Sequence, residues 1–154
     1  MSIVELKERP NISTNDKLNN AYVQLGEFLK ELRKRELPHS VVESVNLNIE
    51  EVNTSSLEGS DLRKLVKKNQ SKILKVIEKE LKLVPKNYYR NLWLALGISA
   101  FGLPLGVAFG SLMKNIGLLV LGLPIGLALG LAVGTHLDKK AHEAGRQLEI
   151  ELTY

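Results

Sequence analysis

Residues 102–110 read GLPLGVAFG, and residues 122–130 read GLPIGLALG. Three glycines and a proline keep their places while the apolar residues between them change. At about 100° per residue, Gly102, Gly106 and Gly110 fall within roughly 80° of one another, a single stripe on a helix. The second stretch repeats the stripe with Gly122, Gly126 and Gly130, and Gly134 extends it. Glycines at steps of four let helix backbones approach closely. Dispersion and weak hydrogen bonds then replace the hydrophobic drive that lipid does not supply. The pattern is a glycine zipper, and it predicts close helix packing, within a hairpin or between copies.

Residues 92–113 and 116–137 are apolar on every side and 22 residues long. At about 1.5 Å per residue each forms a helix of roughly 33 Å, enough for a hydrocarbon core of about 30 Å. Two such helices in water would need a large protein around them, which 154 residues do not provide. Between Asn91 and Leu137 the only formal charge is Lys114, and with Asn115 it marks a tight antiparallel turn. If residues 92 and 137 sit level, Gly102 lies beside Gly126, Gly106 beside Gly122, and Pro104 beside Pro124 near the midplane. Each proline removes a backbone donor and bends its helix, so the pair reads either as a hinge or as a fixed bend of the kind membrane helices tolerate. Gly97, Ala100, Ala108 and Ser111 fall on the opposite face of the first helix, as do Gly117, Ala128 and Ala132 in the second. One small face is expected to close the hairpin and the other to contact a second copy.

The flanks carry the residues that the lipid headgroup level favours: Lys82, Lys86, Tyr88, Tyr89, Arg90 and Trp93 before the first span, Lys139 and Lys140 after the second. Cations gathered at the two outer ends place both termini in the cytoplasm of a bacterial cell, with the inner membrane as the location. The overall composition hides this segregation, because 44% hydrophobic and 25% charged residues with a net charge of +4 would suit an ordinary soluble domain. Residues 1–90 hold 17 of the 21 Lys and Arg and 13 of the 17 Asp and Glu.

That first part reads as a cytoplasmic helical domain over residues 1–87. Ser13, Thr14, Asn15 and Asp16 offer caps for a helix to about Arg35, with Leu18, Tyr22, Leu25, Phe28, Leu29 and Leu32 on one face. Pro38 marks a break. A second helix is expected from about Ser40 to Asn53, where Val42, Val45, Ile49 and Val52 share a face; the β-branched residues make a strand the alternative. A third follows Gly59 and Ser60, with Leu62, Leu65, Val66, Ile73, Val76, Ile77 and Leu83 as its apolar residues. Residues 36–59 carry five acidic groups and no Lys or Arg, whereas residues 60–90 carry ten basic and three acidic ones. The basic run is matched equally by the acidic segment and by anionic lipid. After Leu137 the second helix is expected to run on through DKKAHEAGRQLE as a charged tail over residues 138–154, with Gly145 as the point where it ends or loosens.

Chemistry is sparse. There is no cysteine, which removes disulfides and thiolate metal sites. His136 and His142 are six apart, not at metal-ligand spacing on a helix, and His39 is distant in sequence. The glycines lack the Lys-Ser/Thr ending of a phosphate-binding loop. No catalytic, metal-binding or cofactor-binding residue is assigned, nor a nucleic-acid partner or small-molecule substrate. Ionisable groups of the sort a proton relay needs are missing from within the spans, which disfavours carrier-type transport. The N-terminus MSIVELKERP lacks the apolar core of a secretory signal.

GLPLGVAFG and GLPIGLALG followed by DKKAHEAGRQLE resemble a group of small bacterial membrane proteins with a glycine-zipper hairpin and a short charged tail. The resemblance covers roughly residues 85–150 and implies membrane location and helix packing, nothing catalytic. The expected fold is all-α: about three cytoplasmic helices, an antiparallel two-helix transmembrane hairpin over residues 88–137, and a short helical tail. The expected function is a non-enzymatic membrane module that self-associates and displays its helical domain for a cytoplasmic protein partner. The alternative is a small oligomeric pore or membrane-perturbing effector controlled by the N-terminal domain.

Overall fold

The structure, a computed structural model, describes residues 2–9, 12 and 16–153. The fold is all-α, with one small sheet. In order, the elements are α1 (Asp16–Arg33), α2 (His39–Thr54), α3 (Gly59–Leu81), β1 (Val84–Lys86), α4 (Tyr88–Leu96), a π turn (Gly97–Gly102), α5 (Leu103–Leu112), a 3₁₀ turn (Ile116–Leu118), α6 (Leu119–Glu143) and β2 (Gln147–Glu151). β1 and β2 pair with each other. The chain divides into two compact units, Met1–Val84 with Leu148–Tyr154, and Pro85–Gln147.

The first unit is built on the apolar faces read from sequence. Leu25, Phe28, Leu29 and Leu32 of α1, Val45, Ile49 and Val52 of α2, and Leu62, Val66, Ile73 and Ile77 of α3 are buried, and α3 packs on both α1 and α2. Leu65 and Val76 are half-buried at the edge of this core. Residues 39–54 are helical and not a strand, because their valines recur at helical spacing and bury one face together. Ser13, Thr14 and Asn15, expected as caps of α1, lie outside the described residues. α3 ends on Lys82 in the left-handed conformation (φ 57°), where Lys82 N–H donates to Glu78 O (3.0 Å) and Leu83 N–H to Ile77 O (3.4 Å). This is a Schellman-type close that satisfies carbonyls of the last turn.

An extended segment from Ser2 to Arg9 runs along α2, held by side-chain amides. Asn46 accepts from Val4 N–H (2.8 Å) and donates to Ser2 O (3.1 Å); seven residues on, Asn53 accepts from Lys7 N–H (2.9 Å) and donates to Glu5 O (2.9 Å). Two helical turns advance about 10.5 Å, close to the length of three extended residues, so the spacings of amides and peptides match. The Arg9 guanidinium then donates to the carbonyls of Val52 (2.8 Å), Ser55 (2.6 Å) and Leu57 (3.3 Å), satisfying acceptors at the end of α2.

The C-terminal residues differ from expectation. The second long helix stops at Glu143, and Gly145 takes φ 65°, a value glycine adopts without a Cβ penalty. Residues 147–151 form a strand, not a helical tail. The cause is legible as alternation: Leu148 and Leu152 are buried in the first unit while Glu149 and Glu151 face out. Opposite charges contribute less than their segregation suggests. Among the described residues one ion pair joins the acidic and basic segments, Lys72–Glu51 at 2.9 Å.

Candidate membrane hairpin

Pro85–Gln147 contains two helices long and apolar enough to cross a membrane, Tyr88–Leu112 (25 residues) and Val120–Glu143 (24 residues). They pack against each other along almost their whole length. Among the described residues from Tyr88 to Leu137, every buried one is a glycine: Gly97, Gly102, Gly106 and Gly110 on the first helix, Gly122, Gly126, Gly130 and Gly134 on the second. The large apolar side chains point outward, with Phe101, Leu103, Val107, Leu112, Val120, Leu121, Leu127 and Leu131 all exposed.

How close the backbones come is measured by what a methyl group would meet. A Cβ on Gly126 would stand 2.6 Å from Gly102 Cα and N and would also strike Gly97 O; one on Gly122 would stand 2.6 Å from Gly106 Cα and strike Gly102 O. Nearer the open end, Gly130 faces the Trp93 carbonyl and Gly134 the Tyr89–Arg90 peptide, the latter with a Cβ 2.7 Å from Tyr89 O. Every one of these neighbours is backbone, so no side chain can move aside. At such approach the glycine Cα–H groups face carbonyl oxygens, a contact of roughly 0.5–1 kcal/mol each.

Gly97 corrects the sequence reading of the two faces. On an uninterrupted α-helix it lies about 140° from Gly102 and so on the opposite side. Here residues 97–102 form a π turn, in which Leu103 N–H reaches back five residues to Ile98 O. Residues five apart then nearly superpose, and Gly97 joins the packed stripe, with a Cβ there only 2.9 Å from Gly130 Cα. Pro104, lacking an N–H, falls in the first turn of α5, just past this π turn, where a missing donor is tolerated. Pro124 lies within α6, which continues through it. Both prolines are exposed. The other small residues, Ala100, Ala108, Ser111, Gly117, Ala128 and Ala132, are exposed as well.

Both ends of the hairpin are fixed by side-chain caps. At the turn, Lys114 is left-handed (φ 50°), Asn115 N–H donates to Gly110 O (3.0 Å), and Asn115 Oδ1 accepts from Gly117 N–H (3.0 Å). At the open end, Asp138 is 8% exposed and accepts from Tyr89 N–H (3.0 Å) and Arg90 N–H (2.9 Å). These N–H groups belong to the first turn of α4, whose N-cap, Asn87, is left-handed and makes no side-chain cap. A carboxylate on one helix thus caps the other, in the position the helix dipole favours for negative charge. In the sequence Asp138 reads only as the first residue of the charged tail. The same level counting that paired the glycines sets it beside Asn91, and that was the available signal.

The residues expected at the headgroup level are placed as follows. Tyr88 and Tyr89 meet edge to face (5.2 Å, 73°) and are half-buried, as are Lys86, Arg90 and Trp93. Lys139 and Lys140 are exposed, and Lys139 lies 3.8 Å from Glu143. Lys82 belongs to the other unit, as the exposed cap of α3. Among the described residues no group of three His, Asp or Glu is arranged to hold a metal ion. No family model, curated protein or solved structure matches this chain.

Proposed function

We propose that the chain is a non-enzymatic integral membrane protein of the bacterial inner membrane, anchored by its hairpin, self-associating, and displaying its helical unit on the cytoplasmic face for a protein partner. One observation carries the reading: the hairpin buries glycine and exposes its large apolar residues. Burial of large apolar side chains is what stabilises packing in water, so this inside-out distribution suits lipid, where close backbone contact decides. With the glycines used inside the hairpin, the glycine zipper is intramolecular, and self-association falls to the outward small face of Ala100, Ala108, Ser111, Ala128 and Ala132. Arg90, Lys139 and Lys140 at the open end against Lys114 at the turn favour both termini inside. A pore gains no support from the lining groups: the hydroxyls of Ser99 and Thr135 donate back to Ala95 O (2.9 Å) and Leu131 O (2.7 Å) of their own helices.

The test begins with membranes of cells expressing the protein, washed at alkaline pH. Retention is expected, and release into the wash would remove the membrane reading. The mass of the detergent-purified protein, corrected for bound detergent, then decides self-association. A defined multimer that Ala108→Leu with Ala128→Leu dissociates supports the outward face; a monomer overturns it and leaves the anchor alone. Orientation follows from Lys114→Cys in this cysteine-free chain, labelled from outside intact spheroplasts if the turn is external.

A further inference from the structure

In the first unit, α1 and α3 line a cleft of about 370 Å³, which adjoins a second of about 210 Å³. The walls of the first carry three cations, Lys17 from α1 and Arg63 and Lys67 from α3, with the amides of Asn20 and Gln24, and the second adds Lys68 and the amide of Gln70; no carboxylate is among the described lining residues. Lys30 pairs with Glu27 (2.8 Å), Lys64 with Asp61 (2.9 Å) and Lys72 with Glu51 (2.9 Å), whereas among the described residues Lys17, Arg63 and Lys67 have no acidic partner. Three like charges held around one concavity raise its positive potential and draw in a counter-ion.

A second observation is independent of charge. Gln70 is 2% exposed, and its Oε1 is buried without a hydrogen-bond partner, while its Nε2 donates to Gln24 Oε1 at 3.3 Å. Turning the Gln24 amide over pairs it fully with the Thr153 peptide, donating to Thr153 O (3.1 Å) and accepting from Thr153 N–H (2.5 Å). Gln70 must then turn too, presenting its oxygen to Gln24 and leaving its NH₂ unpaired. In either orientation one buried polar atom of Gln70 lacks a partner, which is costly unless a ligand or water supplies it.

We propose that this cleft binds a phosphoryl group. A phosphate monoester carries about −1.5 to −2 charges and three acceptor oxygens, which suits an arginine fork, two ammonium groups and amide donors better than a single carboxylate does. The volume falls within the range of small-ligand pockets, about 300–1,000 Å³. The group comes either from a soluble phosphorylated molecule or from the headgroup of an anionic lipid.

The probe is inorganic pyrophosphate, titrated calorimetrically into the full chain in non-ionic detergent at fixed ionic strength. Saturable binding is expected, weakened at least tenfold in the Arg63→Gln, Lys67→Gln double variant and unchanged in Lys64→Gln, a cation of α3 outside the cleft. Helicity and melting of each variant check the fold. Absence of binding to the parent chain, or equal loss in the double variant and in Lys64→Gln, overturns the proposal. The source is assigned by repeating the titration in nanodiscs of phosphatidylcholine with and without phosphatidylglycerol, the one arm that rests on the membrane reading. Weaker pyrophosphate binding with the anionic lipid present assigns the headgroup, and equal binding assigns a soluble ligand.

Discussion

Replacing Gly126 with leucine tests the hairpin where the two glycine stripes meet. A Cβ there stands 2.6 Å from Gly102 Cα and N and nearer still to Gly97 O, and ordinary contact begins near 3.4 Å, so even alanine forces the helices at least about 0.8 Å apart. Leucine adds three more carbons on the same line. The helices must then part toward the 8–10 Å axial separation of helices packed through side chains. Separation of that size forfeits the Cα–H contacts along the stripe, about 0.5–1 kcal/mol each, and overpacking alone costs about 1–3 kcal/mol. The milder Gly122→Ala variant is expected to lose about 1–3 kcal/mol. Because the chain has no cysteine, Val107→Cys and Leu121→Cys accept spin labels at outward positions that lie level on the two helices (54% and 53% exposed). The label separation is expected to grow in the order parent, Gly122→Ala, Gly126→Leu, and to stay fixed in Ala128→Leu, where the added bulk faces outward. An unchanged separation and unchanged detergent-induced unfolding in Gly126→Leu would refute the claim that backbone contact holds the hairpin.

Further outcomes follow from the polar contacts. Asp138→Ala removes both acceptors from the Tyr89 and Arg90 amides and should destabilise the hairpin by about 1–3 kcal/mol, with Asp138→Asn, which keeps one acceptor, in between; detergent unfolding measures both. Asn46→Ala and Asn53→Ala each remove two hydrogen bonds to the N-terminal segment and should cost about 1–2 kcal/mol, seen as faster hydrogen exchange at Val4 after the first and at Lys7 after the second. The hydrogen bond and charge of Lys72 hold the Glu51 carboxyl below its usual 4.5. A depressed carboxyl adds stability that is present above the unfolded value and lost as pH falls through and below about 4.5. Exposed pairs are screened, so Glu51→Gln should flatten the acid limb of melting of the helical unit by no more than about 1 kcal/mol, and a steeper limb would contradict the pairing.

How much of this was readable in advance depends on whether a feature is local. The three helices of the first unit announce themselves because Leu25, Phe28, Leu29 and Leu32, and their counterparts in α2 and α3, recur at the helical period. The extended N-terminal segment does not, since its order comes from Asn46 and Asn53. The trace it leaves in the sequence is two asparagines seven apart, bordering the valine stripe of α2. β2 was misread because DKKAHEAGRQLE begins as a helix, and the alternation of Leu148, Ile150 and Leu152 starts only after Gly145. The glycine levels could be counted because a hairpin with a two-residue polar turn leaves little freedom of register. Gly97 could not be placed by α-helical arithmetic. Its five-residue step to Gly102, where every other step in the two stripes is four, is the mark of the π turn.

That single irregular step shows that the two copies of the repeat are not equivalent. In α6 the glycines advance by four from Gly122 to Gly134, and the helix runs unbroken through Pro124. In the first helix the stripe includes one extra residue, and the chain absorbs it by widening one turn just before Pro104. A second asymmetry lies in the chain order. Leu148 and Leu152 complete the core of the helical unit, yet they are made only after the whole of Pro85–Gln147. The hairpin is an insertion in a unit that closes behind it. The helices α1 to α3 can therefore assemble as the chain emerges, but their core lacks these two leucines until the hairpin has been synthesised. Final packing of the helical unit thus follows synthesis of the hairpin.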